Sequence, residues 1–147
     1  MSARPKLNSA VPEAYKTTLA LSEQAEKAAL EAGVEPLTVE LVRIRTSQIN
    51  GCGFCLRMHV GDALAKGESI DRIAVLPAWR ETGYFSPAER AALAISEEIA
   101  HIDRRIPGVD DDTAAVSDRQ AAALRWVAIA INAFNRIAIS SHYTVAP

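Results

Sequence analysis

Apolar positions recur every three to four residues along most of the chain, and the interruptions fall at proline, glycine and capping residues, a pattern that predicts helices throughout. After about ten loose residues, Pro12 stands where helices begin, and Tyr15, Leu19, Leu21, Ala25, Ala29 and Leu30 follow at near-helical spacing until Gly33 stops them. The first helix therefore spans about 12–32. Pro36 opens a second, about 36–49, on which Leu37, Leu41, Ile44 and Gln48 mark one stripe and Val39, Val42 and Ile49 broaden it. Asn50-Gly51 ends that helix. A third, about 52–66, should turn Cys55, Leu56, Met58, His59 and Ala63 inward, with Gly67 as its cap. Gly53 and Gly61 inside it each cost about 1 kcal/mol relative to alanine, which points to close approach of another backbone or a substrate, or to tight helix packing.

Ser69 can cap a short helix through Leu76, ended or kinked by Pro77, and a connector over about 78–85 carries Trp79 and Tyr84. Ser86-Pro87-Ala88-Glu89 is a capping box that starts a helix reaching about residue 103. A loop over 104–109 follows, then a short helix near 111–116, and Ser117-Asp118 caps a last long helix to about residue 140. That helix is apolar on most sides between Ala121 and Ile139, so it should lie centrally or at a subunit interface. The expectation is an all-α, single-domain bundle of about six to seven helices spanning residues 1–147.

Composition narrows this further. The chain of 147 residues is 49% apolar but only 5% aromatic, with alanine supplying much of the apolar share, which suits close-packed helices. A formal charge of −2 provides no footprint for nucleic acid or an acidic membrane surface. The most apolar segment, from Trp126 to Ile139, is interrupted by Asn132, Asn135 and Arg136 and is too short to cross a bilayer. The N-terminus lacks the apolar run of a signal peptide, so a cytoplasmic location is expected, where thiols are kept reduced. Two cysteines separated by two residues then point to redox or metal chemistry.

On a helix Cys52, Cys55 and His59 stand at i, i+3 and i+7, on one face. The pair sits where the chain enters a helix, so unpaired N–H groups and the positive end of the macrodipole favour a thiolate. His59, one turn beyond Cys55, can take the thiol proton directly or through one water. Glu40 enters by hairpin geometry. It is ten residues before Asn50, and His59 is eight beyond Gly51. If the two helices fold back antiparallel, at ~1.5 Å per residue the mismatch is about 3 Å, within reach of a glutamate. Glu40 can thus orient the imidazole as the third member of an acid, base and nucleophile set. Three alternatives stand beside this: a zinc site using Cys52, Cys55 and His59, inert core cysteines, and Glu40 as a solvated side chain. His101 and His142 carry no assigned role, and Trp79, Tyr84, Trp126 and Phe134 are read as core.

The spacing of Glu40, Cys52, Cys55 and His59 resembles the active-site signature of the AhpD-like alkylhydroperoxidases, in the carboxymuconolactone decarboxylase family. The core motif covers about 36–67, and Arg45-Thr46-Ser47-Gln48-Ile49-Asn50-Gly51-Cys52, Ala63-Leu64-Ala65-Lys66-Gly67 and Ile131-Asn132-Ala133-Phe134-Asn135-Arg136-Ile137 are also similar to that family. The resemblance implies an all-helical fold assembling as trimers or hexamers, and a peroxidase whose cysteine pair cycles between dithiol and disulfide. In that scheme Cys55 attacks a small peroxide, Cys52 resolves the product, and Glu40 with His59 forms a proton relay. A lipoyl-bearing or thioredoxin-like dithiol protein is the reductant, and no metal, flavin or other cofactor is required. Phe54 departs from the best-studied branch, which has histidine there. The decarboxylase branch generally lacks the cysteine pair, so Cys52 and Cys55 argue for redox chemistry. The expected function is a cysteine-dependent hydroperoxide reductase, with a thiol-disulfide switch or binding protein as the alternative and lactone decarboxylation third.

Overall fold

Proline and glycine punctuate the chain where its helices begin and end. The computed structural model describes residues 3–147, in which eight α-helices and one 3-10 helix are found and no strand. In order they are α1 (Leu7–Ala10), α2 (Pro12–Glu31), α3 (Pro36–Asn50), α4 (Gly53–Ala65), α5 (Ile70–Val75), the 3-10 helix Leu76–Glu81, α6 (Pro87–Ala100), α7 (Val109–Thr113) and α8 (Asp118–Ser140). The all-α class is as expected. Pro12, Pro36 and Pro87 each occupy a first helical position, where the missing N–H would have been unpaired anyway. Ser86 with Glu89, and Ser117 with Gln120, form complete capping boxes at the starts of α6 and α8.

Helix α3 is the axis of the packing. Its Val39 and Val42 join Ala29 of α2, Ile95 of α6 and Val127 of α8 in one apolar cluster. One step around the helix, Leu41 and Ile44 join Ala63 of α4, Trp79 and Leu93 in a second. With both sides covered, residues 38–44 of α3 are all buried, and the site residues on that helix inherit a fixed frame. Helix α8 lies centrally, packed against α2, α3 and α6.

The polar residues that interrupt α8 are pins. Asn50, the last residue of α3, donates from Nδ2 to Asn132 Oδ1 at 2.9 Å and to Asn135 Oδ1 at 3.0 Å. Asn135 in turn donates to Ser47 Oγ at 3.0 Å, and Asn132 donates to the Ala128 carbonyl. The turn leading into α4 is thereby tied to the central helix by partly and fully buried hydrogen bonds, which are costly to leave half-made.

Several expectations are corrected. Residues 7–10, read as loose, form α1, because Lys6 Nζ donates to the Ser141 carbonyl and the Leu7 N–H to Ser141 Oγ. These are contacts across the chain that no local pattern reveals. Helix α6 stops at Ala100, since His101 leaves the helical region. The last helix is 23 residues long, and by length and composition alone it could cross a membrane. Alanines ahead of Trp126 extend it beyond the segment counted as too short, yet half of its apolar window is buried in the bundle. Met58 is exposed rather than inward, because α4 has a narrow buried stripe of Cys55, His59 and Ala63. A Cβ placed on Gly53 or Gly61 would meet nothing within 4 Å, so among the described residues no other element crowds the Cβ position of either. Trp79 is core, but Tyr84 and Trp126 lie on the surface, where Tyr84 bonds Asp71.

Asn135→Ala should lower unfolding free energy by about 2 kcal/mol, since it leaves the buried Ser47 Oγ without its donor and Asn50 Nδ2 with Asn132 as its one remaining acceptor. Urea denaturation would read this, with Gln24, exposed on α2, as a neutral control position.

Candidate active site

The site begins at the turn between α3 and α4. Gly51 has φ 68°, a left-handed conformation that glycine adopts without the Cβ penalty, and the Cys52 N–H then bonds the Ser47 carbonyl at 3.1 Å. Cys52 stands at the N-cap of α4 rather than inside it, and its Sγ accepts the Cys55 N–H at 3.3 Å. The two cysteines are joined as a disulfide with Cα atoms 5.3 Å apart. Cys52 is 1% and Cys55 2% exposed. As a disulfide neither sulfur offers the thiolate a zinc ion takes, so the Cys52, Cys55 and His59 zinc alternative does not describe this form.

Glu40 and His59 meet across the hairpin, as the residue count predicts: His59 Nδ1 lies 3.1 Å from Glu40 Oε2. Glu40 is 1% exposed, which rules out the solvated reading. Its other oxygen, Oε1, accepts from Arg43 at 2.9 Å and Lys66 Nζ at 2.7 Å. Arg43 reaches on to Glu26 of α2 at 2.8 Å. Burial pushes the Glu40 carboxyl up, but hydrogen bonds from His59 and Lys66 and the charge of Arg43 outweigh it and hold it down to about 2. Glu40 is therefore a fixed anion. The hydrogen between the two side chains belongs on Nδ1, which leaves the Nε2 lone pair free as a base. Cys55 and His59 are one turn apart on α4, at i and i+4, where Cβ atoms are about 5–6 Å apart.

Glu40, His59 and the half-exposed Asp62 have ligand atoms within 4.8 Å of one another. A metal ion there would have to compete with Arg43 and Lys66 for the same carboxylate, so the donor set suits an ion-paired acid better than a metal centre.

Arg43, Lys66 and Glu26 escaped the sequence reading. The signal was there for two of them: Arg43 is three residues after Glu40 and Lys66 seven after His59, so each shares a helical face with a chosen residue. Glu97 was missed as well. It is buried on α6 and accepts from Trp79 Nε1 at 3.0 Å, Arg45 at 3.1 Å and Arg80 at 2.5 Å. Burial raises its pKa, but Arg80 and Trp79 bonding it and the charges of Arg80 and Arg45 leave it lowered. This second hub fixes α3 against α6 and the 3-10 helix. Tyr143, too, was unassigned. It packs against the cluster of Cys52, Cys55 and Ala138, with its ring edge to Phe54 at 5.1 Å. His101 ends α6 and His142 sits in the tail after α8; neither joins the cluster.

Residues 12–98 match the sequence profile of the carboxymuconolactone decarboxylase family. Among curated proteins, the uncharacterized protein YdfG of Bacillus subtilis (strain 168) is 37% identical over 145 residues, covering 95% of each chain. Among solved structures, a crystal structure from Agrobacterium tumefaciens superposes with a TM-score of 0.85 at 30% identity, over 99% of both chains. That protein is described as one of unknown function and a candidate antioxidant defence protein AhpD.

Because Glu40 falls from its ordinary 4.5 to about 2 on folding, its ionisation contributes stability that is full above about pH 5 and is lost as pH falls towards 2. Wild type minus Glu40→Gln stability should thus be level above pH 5 and shrink by about 3 kcal/mol by pH 2. Urea unfolding at a series of pH values would show it; parallel curves would mean that Glu40 is not a buried anion.

Proposed function

This chain belongs to the carboxymuconolactone decarboxylase family, and from that premise we propose that it is a cysteine-dependent hydroperoxide reductase whose Cys52–Cys55 pair cycles between dithiol and disulfide. The observation that carries this reading is the buried contact of Glu40 with His59 at 3.1 Å, one helical turn from a cysteine already paired with a second. The likeness to the Agrobacterium tumefaciens candidate antioxidant defence protein supports it.

In the dithiol form, His59 Nε2 takes the Cys55 thiol proton, directly or through one water. The thiolate attacks the terminal oxygen of the peroxide; an S–O bond forms, the O–O bond breaks, and His59 returns the proton to the leaving alkoxide, which departs as an alcohol. The Cys52 sulfur then attacks Cys55 Sγ; the S–S bond forms, the S–O bond breaks, and hydroxide leaves with the Cys52 thiol proton as water. Two electrons pass from the two thiols to the peroxide. Glu40, held as an anion by Arg43 and Lys66, accepts no proton. Its part is to keep Nδ1 protonated and to balance the imidazolium while it carries the thiol proton. A dithiol protein, lipoyl-bearing or thioredoxin-like, returns the pair to the dithiol, and a cytoplasmic setting would keep such a reductant charged. A homo-oligomer, trimer or hexamer, belongs to the same reading, and the exposed Trp126 and Ile129 of α8 are apolar surface that a second copy would cover.

A thiol-disulfide switch without catalytic cycling is the second reading. Phe54, 40% exposed beside the pair, favours it, because a phenyl ring can neither accept nor donate the proton that a histidine there would move. Lactone decarboxylation, the chemistry in the family's name, would have no use for a redox-active pair.

Peroxide consumption with a dithiol reductant should vanish in Cys55→Ser and fall about 100-fold in His59→Asn. Cys52→Ser should turn over once and leave a sulfenic acid that a cyclic 1,3-diketone traps. Undiminished turnover in Cys55→Ser sinks the peroxidase reading, whereas stoichiometric oxidation of wild type without cycling selects the switch.

A further inference from the structure

Thiol-disulfide exchange needs an attacking thiolate in line with the S–S bond, so access to a sulfur limits which reductant can react. In this protein the oxidised pair is covered. Tyr143 packs against Cys52, Cys55 and Ala138, and its ring is held edge-on by Phe54 with centroids 5.1 Å apart. Lys6 Nζ lies over the Tyr143 ring, 5.5 Å from its centroid. The tail carrying Tyr143 is strapped at both ends: Lys6 Nζ donates to the Ser141 and His142 carbonyls at 2.7 and 3.1 Å, and Arg57 Nη1 of α4 donates to the Ala146 carbonyl at 2.8 Å.

Two features work against this closed arrangement. The Tyr143 hydroxyl is buried with no hydrogen-bond partner among the described residues, a group that water would stabilise if the ring swung out. His142, immediately before it, has φ 52°, a left-handed conformation that a residue with a Cβ adopts at a cost. The cover is thus held by the aromatic edge contact and the two straps, and is disfavoured from within.

We propose that Tyr143 is the residue that sets reductant specificity at the thiol site: its ring lies over the Cys52–Cys55 sulfurs and must be displaced farther for a dithiol protein than for a small dithiol to reach them. The inference rests on the redox reading of that pair and adds the step that reading leaves open. With the ring displaced, a reductant thiolate attacks one sulfur of the pair, forming an intermolecular disulfide as the Cys52–Cys55 bond breaks and the other sulfur leaves as thiolate. The second reductant thiol then attacks the mixed disulfide, its proton passing to the departing sulfur. Two electrons move to the pair, and the reductant ends as a disulfide.

The test is the reductive half-reaction alone, followed in the oxidised full chain by quenching with an alkylating agent and weighing the products, with dithiothreitol and with thioredoxin as probes. Tyr143→Ala should raise the thioredoxin rate about tenfold or more and the dithiothreitol rate far less. Tyr143→Phe keeps the ring and removes the unpaired hydroxyl, so it should slow thioredoxin about fivefold relative to wild type. Arg57→Ala, which frees the strap without touching the ring, should shift the thioredoxin rate in the same direction as Tyr143→Ala. Equal acceleration with both reductants, no acceleration, or a Tyr143→Phe variant faster than wild type would overturn the proposal. No peroxide enters this assay, so failure of the peroxidase reading and failure of the gate are separately visible.

Discussion

A carboxylate taken out of water is tolerable only if its surroundings return what hydration supplied, and Glu40 meets that condition with three donors on two oxygens. Arg43 is shared with Glu26, so two carboxylates and two cations balance before the imidazole is counted. Through these partners one buried anion draws α2, α3, α4 and the residue just past the end of α4 onto a single point. Remove the anion and Lys66 loses its partner, while Arg43 is left with Glu26 alone. The same contact that holds the helices therefore also sets which ring nitrogen of His59 carries hydrogen, and stability and chemistry cannot be varied independently at this position.

What could be read from the sequence follows from how local each feature is. The Glu40–His59 pairing was legible because it depends on one turn: once Asn50-Gly51 reverses the chain, counting residues outward decides which side chains lie abreast. The capping boxes at Ser86 and Ser117 were legible for the same reason, since cap and partner lie three residues apart. The fold class and the family resemblance also held, and the family profile agrees with the latter. Illegible were features made by segments far apart in the chain. Residue 6 holding residue 141 leaves no periodic trace, so α1 looked like a loose end, and nothing local marked Tyr143. Met58 was misplaced because helical spacing names a face but not its width.

Apolar burial and polar bonding divide the labour. Val39, Val42, Leu41 and Ile44 bury α3 from two sides, which supplies cohesion but does not by itself choose a register along the helix axis. Register comes from groups that bond only in one alignment: Asn50 with Asn132 and Asn135, and Glu97 with Trp79, Arg45 and Arg80. Both sets flank the turn or the helix that carries the site.

The strap that joins Lys6 and Leu7 to Ser141 spans 134 or more residues of sequence. Contacts of such separation form late, because most of the chain must be in place before they can close. The α3–α4 hairpin, by contrast, is local and can form early. During synthesis on a ribosome the cysteine pair would thus be assembled long before residue 143 emerges to seal it, and over that interval the nascent chain presents two adjacent, uncovered thiols to whatever oxidant or chaperone is near.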